Sequence, residues 1–287
     1  MITKTSVKIL NCLISGAFLI TCLAGGAIAE NKTARIAYVE WSCATAAAHV
    51  VKAVLEERMG YDCELTAMNA EAIWLSTASG DVDGFVCAWL PSLHRSFYGK
   101  VEYNVVDLGP NLKGTKVGLV VPDYVTIDSI DELSAHADKF DHRVTGIDPD
   151  AGIMRLTKKA LKDYPVKDMK LISGSGASMA ETLAEKIKNR EWVVVTGWTP
   201  HWKFARWDLK YLDDPENVYG GSESIHTMAR KNLQEDKPDL YKFLNNFFWQ
   251  TEDIHQVMEM IRQSGQPYES AVKWINQHPD KVDAWLK

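Results

Sequence analysis

The chain is poor in the features that mark catalytic and metal-binding proteins. It has five cysteines in 287 residues, none spaced Cys-x-x-Cys, and no His-rich tract. A disulfide scaffold and a zinc module are therefore both excluded. There is no Gly-x-Ser-x-Gly, no His-Glu-x-x-His and no P-loop. "SGSGAS" (173–178) is rich in Gly and Ser but lacks the lysine and the spacing that cradle a phosphate. His142, Asp148 and Ser175 make a triad only on paper, because nothing in their spacing brings them together. No catalysis, no cofactor and no metal are expected. A net charge of −6 lacks the basic excess that a nucleic acid or an anionic membrane would need.

One long uncharged run is present, and it comes first. Lys4 and Lys8 precede Ile9–Ala29, which carries no charge and ends in the small-x-small signal Ala27-Ile28-Ala29. Residues 1–29 read as a secretory signal peptide. The run is long enough to span a bilayer, but Gly16, Gly25, Gly26 and the cleavage signal favour removal. Lipidation at Cys22 is disfavoured because Thr21 stands where a small residue is expected. A periplasmic protein is expected rather than a lipid-anchored extracellular one. Cys43, Cys63 and Cys87 then remain, an odd number.

Beyond the leader the pattern is αβ. Strands at 34–41, 63–68 and 84–89 alternate with helices at 44–60 and 70–80. The alternation restarts with strands at 116–122, 142–148, 169–175 and 191–198 and helices at 151–164 and 177–190. The tail from about residue 222, beginning "SIHTMARK", is predicted helical. Two βαβαβ units imply parallel-rich sheets flanked by helices, paired across a cleft as in a hinged binding protein.

Trp41, Trp89 and Trp198 fall at the carboxyl ends of predicted strands, where open α/β sheets bind ligands. "FVCAWLPSLH" (85–94) and "VVTGWTPHWK" (194–203) each end a strand on Trp-x-Pro. Three indole faces converging across a cleft suit a quaternary ammonium, held by cation–π attraction of ~0.5–2 kcal/mol per face. Trp74, Trp249, Trp274 and Trp285 sit at helical spacing among apolar residues and are expected in the core. A betaine also needs its carboxylate met. The backbone N–H groups of Gly152 and Ile153, at a predicted helix start, are natural anion donors. His94, five residues after Trp89 on what is expected to be an exposed turn, adds a side-chain donor.

The motifs "YVEW", "DVDGFVCAWLPSLH", "GLVVPDYV", "GIDPDAGIM", "VVVTGWTPHW" and "LKYLDDP" together resemble the OpuAC-like binding proteins of ABC importers for glycine betaine and proline betaine, over residues 33–287. The resemblance implies an α/β, two-lobed periplasmic-binding-protein fold of type II-like topology with the ligand in the interlobe cleft. Lobe one would comprise 30–118 plus 210–287, and lobe two 119–209. It implies a tryptophan prism of Trp41, Trp89 and Trp198, and carboxylate ligands at Gly152, Ile153 and His94. It further implies a monomer that delivers a small quaternary-ammonium solute, glycine betaine or alternatively proline betaine or carnitine, to a membrane permease and its ATPase. Choline-specific relatives place an acidic side chain near the first cage tryptophan, and "WSCAT" offers none. A choline-binding protein of the same fold and a sensor for a signalling partner remain the alternatives. Cys43 and Cys87, each two residues from a cage tryptophan, are left open between a disulfide on the cleft wall and two separate thiols.

Overall fold

Strand and helix alternate from the start of the described chain, as the pattern requires. The computed structural model describes residues 32–164 and 166–287. The expected signal peptide, with Cys12 and Cys22, lies outside them. β1 (Lys32–Tyr38), α1 (Ser42–Met59), β2 (Tyr61–Ala67), α2 (Ala70–Ser79) and β3 (Gly84–Leu90) follow in order. Gly60 ends α1 in the left-handed conformation (φ 70°), returning its N–H to the Leu55 carbonyl. The Asn69 side chain opens α2 by accepting from the Ala72 N–H at 2.8 Å. β1 pairs in parallel with both β2 and β3, and all seven residues of β3 are buried.

α3 (Arg95–Val101) leads into β4 (Val105–Pro122), a strand of 18 residues. Only its second half was legible in the sequence. Its first half contains Gly109 and Gly114 at positive φ and pairs with shifted register, so it has no continuous period of two. β5 (Arg143–Thr145), α4 (Gly152–Asp163), β6 (Lys170–Ile172), α5 (Gly176–Lys188), β7 (Val195–Thr199), α6 (Lys203–Arg206) and β8 (Leu209–Tyr211) come next. After β9 (Glu223–Arg230) the chain is helical: α7 (Leu233–Asp236), α8 (Pro238–Asn246), α9 (Thr251–Ser264), α10 (Pro267–Gln277) and α11 (Pro279–Leu286).

The strand order is β2-β1-β3-β9-β4-β7-β5-β6, with β8 on β4. Two halves share β4. It pairs antiparallel with β9 as far as Thr115 and with β7 from Lys116 onward. Within the halves, β1–β2, β1–β3, β5–β6 and β5–β7 are parallel. The fold is thus an α/β sheet in two parallel-rich halves, spanned by the long strand.

The helix expected at "SIHTMARK" is a correction. These residues form β9, antiparallel between β3 and β4. Ile225 and Met228 are three apart and fit a helix, but Glu223, Ile225 and Thr227 alternate inward at period two. The open slot between β3 and β4 decided between the two readings.

One buried carboxylate ties this half together. Asp83 has no exposed surface. It accepts from the Arg35 N–H (2.9 Å), Arg230 Nε (3.0 Å) and Lys237 Nζ (2.7 Å). Burial alone would raise its pKa, but hydrogen bonds from Lys237, the Arg35 amide and Arg230 outweigh it and hold the carboxyl below its ordinary value. The stabilisation is therefore present above about pH 4 and lost as pH falls through the lower folded value. Asp83→Ala is expected to cost about 3–5 kcal/mol, because Lys237 loses its carboxylate partner and Arg230 keeps only Asp236. Urea unfolding across acidic pH checks this, and the variant should show a flatter acid limb than the parent.

Candidate functional site

The two Trp-x-Pro segments do the same thing in the two halves. β3 delivers Trp89 and β7 delivers Trp198, and each strand then ends at a proline whose preceding peptide bond is cis (Leu90–Pro91 and Thr199–Pro200). Trp41 comes from a different position. β1 stops at Tyr38, and Trp41 is the residue that caps α1, held extended at φ −87° and ψ 143°. All three line one cavity together with Leu93, Ile147, Ala151, Gly152 and Ile153. The indoles are 6%, 2% and 4% exposed for Trp41, Trp89 and Trp198, so any cation between them is stripped of water.

No ionised side chain lines this cavity. Its walls are π faces and alkyl groups. Such a lining cannot coordinate a metal or recognise an N–H donor, but it can enclose an alkylated cation. The indole rims are anchored differently. Trp41 Nε1 donates to Asp148 Oδ2 at 3.2 Å, linking the first half to the β5–α4 loop. The Trp198 Nε1–H has no oxygen or nitrogen acceptor, and the Cys43 sulfur lies beside it.

The opposite wall is the start of α4. Ala151 is its N-cap in extended conformation, and neither a side-chain cap nor an acidic residue in the first turn neutralises that end. The N–H groups of Met154 and Arg155 turn back to the Ala151 carbonyl. Those of Gly152 and Ile153, in the first turn, have no acceptor within the helix, and the helix dipole adds partial positive charge there. Glycine is required at 152 by close approach, since a Cβ would overlap the Leu93 backbone carbonyl. Gly152 and Ile153 therefore stand where the sequence expected an anion to be met.

His94 is a correction in environment. The turn was expected to expose it, whereas the ring is fully buried. It packs among Trp41, Trp74 and Phe97 at centroid distances of 5.9, 5.9 and 5.6 Å. Burial, helped by the charge of Arg155, lowers its pKa to about 3. Its Nδ1 accepts from the Trp89 N–H at 3.2 Å and from Trp74 Nε1 at 3.4 Å. A neutral imidazole that accepts at Nδ1 carries its proton on Nε2, and Nε2 is buried with no protein partner. Buried polar atoms are normally satisfied, so this donor awaits an acceptor.

Two charged residues that sequence reasoning missed hold the turn between Trp89 and His94. Glu223 is buried at the start of β9 and accepts from the N–H groups of Ser92 (2.7 Å) and Leu93 (3.4 Å). From the other side, Arg155 of α4 donates to the carbonyls of Ser92 (3.3 Å) and Leu93 (3.1 Å). The only signal for Arg155 was its place one turn after Gly152; Glu223 was hidden by the helical reading of its segment. Cys43, Cys63 and Cys87 are buried free thiols. Of the two alternatives for Cys43 and Cys87, the structure has the separate thiols, and burial pushes them up to about 11 and about 12. The histidine assignment yields a pH prediction. Its ring should stay neutral, with the proton on Nε2, down to about pH 5, whereas an exposed histidine titrates near 6.5. Nitrogen-15 imidazole shifts measure this directly. The unfolded chain takes up that proton and the folded one does not, so stability should fall as pH drops below about 6.5.

Comparison with known proteins places these residues in context. Residues 32–277 match the family described as the substrate binding domain of ABC-type glycine betaine transport system. The glycine betaine/carnitine transport binding protein GbuC of Listeria monocytogenes is 47% identical over 162 residues, 56% of this chain and 54% of that protein. The alignment thus spans about half the length of that curated relative. Among solved structures, lactococcal OpuAC, closed and complexed with glycine betaine, superposes with a TM-score of 0.86 at 41% identity, covering 90% of this chain and 100% of that one. The glycine/betaine/L-proline-binding protein ProX of Borrelia burgdorferi superposes with a TM-score of 0.86 at 38% identity, covering 89% and 97%.

Proposed function

From a chain that belongs to the family of substrate-binding domains of ABC-type glycine betaine transport systems, we propose that the tryptophan cavity binds a trimethylammonium zwitterion, glycine betaine first, for delivery to a membrane permease driven by an ATPase. The observation that carries this reading is the convergence of three tryptophans, distant in sequence, on one cavity whose remaining wall is the start of α4. The indoles of Trp41, Trp89 and Trp198 take the methylated cation. The N–H groups of Gly152 and Ile153 and the Nε2–H of His94 take the carboxylate. Each donor is neutral, so the carboxylate is bound by dipoles and the cation by π faces. No titration of either set of contacts occurs near neutral pH.

Choline is the second reading. It would leave the His94 donor and the helix start without an acceptor, at the cost that unsatisfied buried donors carry. A carboxylate facing the cation would favour it, but none lines the cavity. Asp148 is engaged at the indole rim of Trp41. The protein acts outside the cytoplasmic membrane in this reading. Among the described residues no helix is long and apolar enough to cross a membrane. Lobe one, 30–118 with 210–287, and lobe two, 119–209, close on the ligand. In this reading Trp41–Asp148 and Arg155 to the 92–93 carbonyls are the bonds that join the two lobes.

Titration calorimetry with glycine betaine, proline betaine, carnitine and choline tests the assignment. Trp41→Ala, Trp89→Ala and Trp198→Ala should each weaken betaine binding by roughly 1–3 kcal/mol through lost cation–π contact and lost enclosure. Trp274→Ala, in the buried aromatic cluster of Trp249, Trp274 and Trp285, should lower stability and leave affinity nearly unchanged. Folded cage variants that bind normally would remove the site. Closure is tested separately. Betaine should reduce the radius of gyration in solution scattering, and Arg155→Met should diminish both that change and the affinity. Tight binding with unchanged scattering would mean a pocket preformed without lobe movement.

A further inference from the structure

A lysine with no counter-charge sits beside the cage. Lys203 opens α6 and its side chain has no exposed surface. Its Nζ lies 4.5 Å from the centroid of the Trp198 ring and 5.6 Å from that of Phe204. Its one side-chain hydrogen bond is a long one, 3.4 Å to the Thr196 carbonyl. Fully buried lysines are rare unless paired, yet no carboxylate among the described residues forms a salt bridge with this one. Trp198 lines the cage cavity and Lys203 does not. The ammonium therefore lies against one indole of the cavity wall without itself lining the cavity.

The groups that face Lys203 do not neutralise it. Cys43, on α1, is a buried thiol pushed up to about 11 and stays protonated. His201, in the turn before α6, accepts the Lys203 backbone N–H at Nδ1 (3.1 Å), and burial keeps its ring neutral. His255, on α9, acts on His201 and is itself lowered by burial. β7 contributes only the Thr196 carbonyl and Trp198. Burial lowers the ammonium of Lys203 to about 7. Between about pH 6 and about pH 8.5, the charge behind Trp198 changes through Lys203 alone.

We propose that the Lys203 ammonium, set behind Trp198, makes the cage select zwitterions over net cations. The inference rests on the reading of the cavity as a quaternary-ammonium cage. Cations sit within about 6 Å of a ring centroid, so two cations sharing one indole stand on the order of 10 Å apart. At an effective dielectric constant of about 20, their repulsion weakens binding of a net cation by roughly tenfold. A betaine meets the same repulsion at its nitrogen, but the same ammonium attracts its carboxylate, and much of the penalty cancels. Choline has no such compensation. Lys203 is thus a selectivity residue that never touches the ligand. Its protonation and the binding of a net cation oppose one another, so choline binding should release a proton.

The test is the affinity of glycine betaine and of choline, the latter by competition if weak, at about pH 6 and about pH 8.5. Neither ligand changes charge in that interval. For the parent protein the betaine-to-choline preference should fall severalfold to about tenfold as pH rises. Calorimetry in buffers of different ionisation enthalpy should show protons released on choline binding near neutral pH. Lys203→Met, which keeps the length of the side chain and removes its charge, should bind choline at the lower pH roughly tenfold tighter than the parent. Its preference should not vary with pH. A packing role for Lys203 would weaken both ligands alike and leave the pH profile in place. A pH-independent preference in the parent overturns the proposal without need of a variant, and so does a folded Lys203→Met with the parent's profile. A parent protein that binds neither ligand overturns the cage reading itself, and this inference with it.

Discussion

A methylated ammonium has no hydrogen to donate, and the proposed site answers that constraint. The cation must be held by the faces of aromatic rings and by exclusion of water, and both demand rigid placement of large side chains. The three indoles are fixed by two devices. Trp89 and Trp198 ride on strands that stop abruptly at Pro91 and Pro200. Trp41 caps a helix of 18 residues and is tethered at its rim by Asp148. Trp41 and Trp89 come from one half of the fold and Trp198 from the other, and all three line one cavity.

The anion side of the proposed site is built from neutral donors. His94 is buried so deeply that it cannot ionise in the working range, and its Nδ1 is occupied by Trp89 and Trp74, which leaves the Nε2 proton free. The backbone of Trp89 thereby sets the tautomer of the residue that would read the carboxylate, while its indole lines the cavity. Charged residues act at one remove. Glu223 and Arg155 grip opposite sides of the 92–93 turn through backbone groups, and Lys203 stands behind an indole. An ionised group within the cavity would pair with one end of a zwitterion and repel the other. Kept outside it, charge can shape and bias the site without competing for the ligand.

Much of this was legible in the residues. Amphipathic spacing and glycine stops located α1, α2, α4 and α5, and short apolar runs located β1 to β3 and β5 to β7, because those signals are local. The repeated Trp-x-Pro motif pointed to the two strand ends, and the Gly-Ile pair at 152–153 to the helix start. β9 was misread because Ile225 and Met228 are spaced as in a helix, while the inward alternation of Glu223, Ile225 and Thr227 rests on two polar residues. The first half of β4 was missed because Gly109 and Gly114 interrupt its alternation.

What the sequence determined by itself was the inventory of elements and the residue types at their ends, since backbone preference and periodicity act over a few positions. Tertiary structure decided what those residues are to one another. Whether His94 is exposed or sealed depends on Trp41 and Trp74 arriving from two other segments. Whether Cys43 and Cys87 are joined and whether Glu223 faces the core are likewise settled by partners far away in the chain. Burial, the shift in proton affinity that follows from it, and the convergence of side chains on one cavity are properties of packing, and no local pattern encodes them.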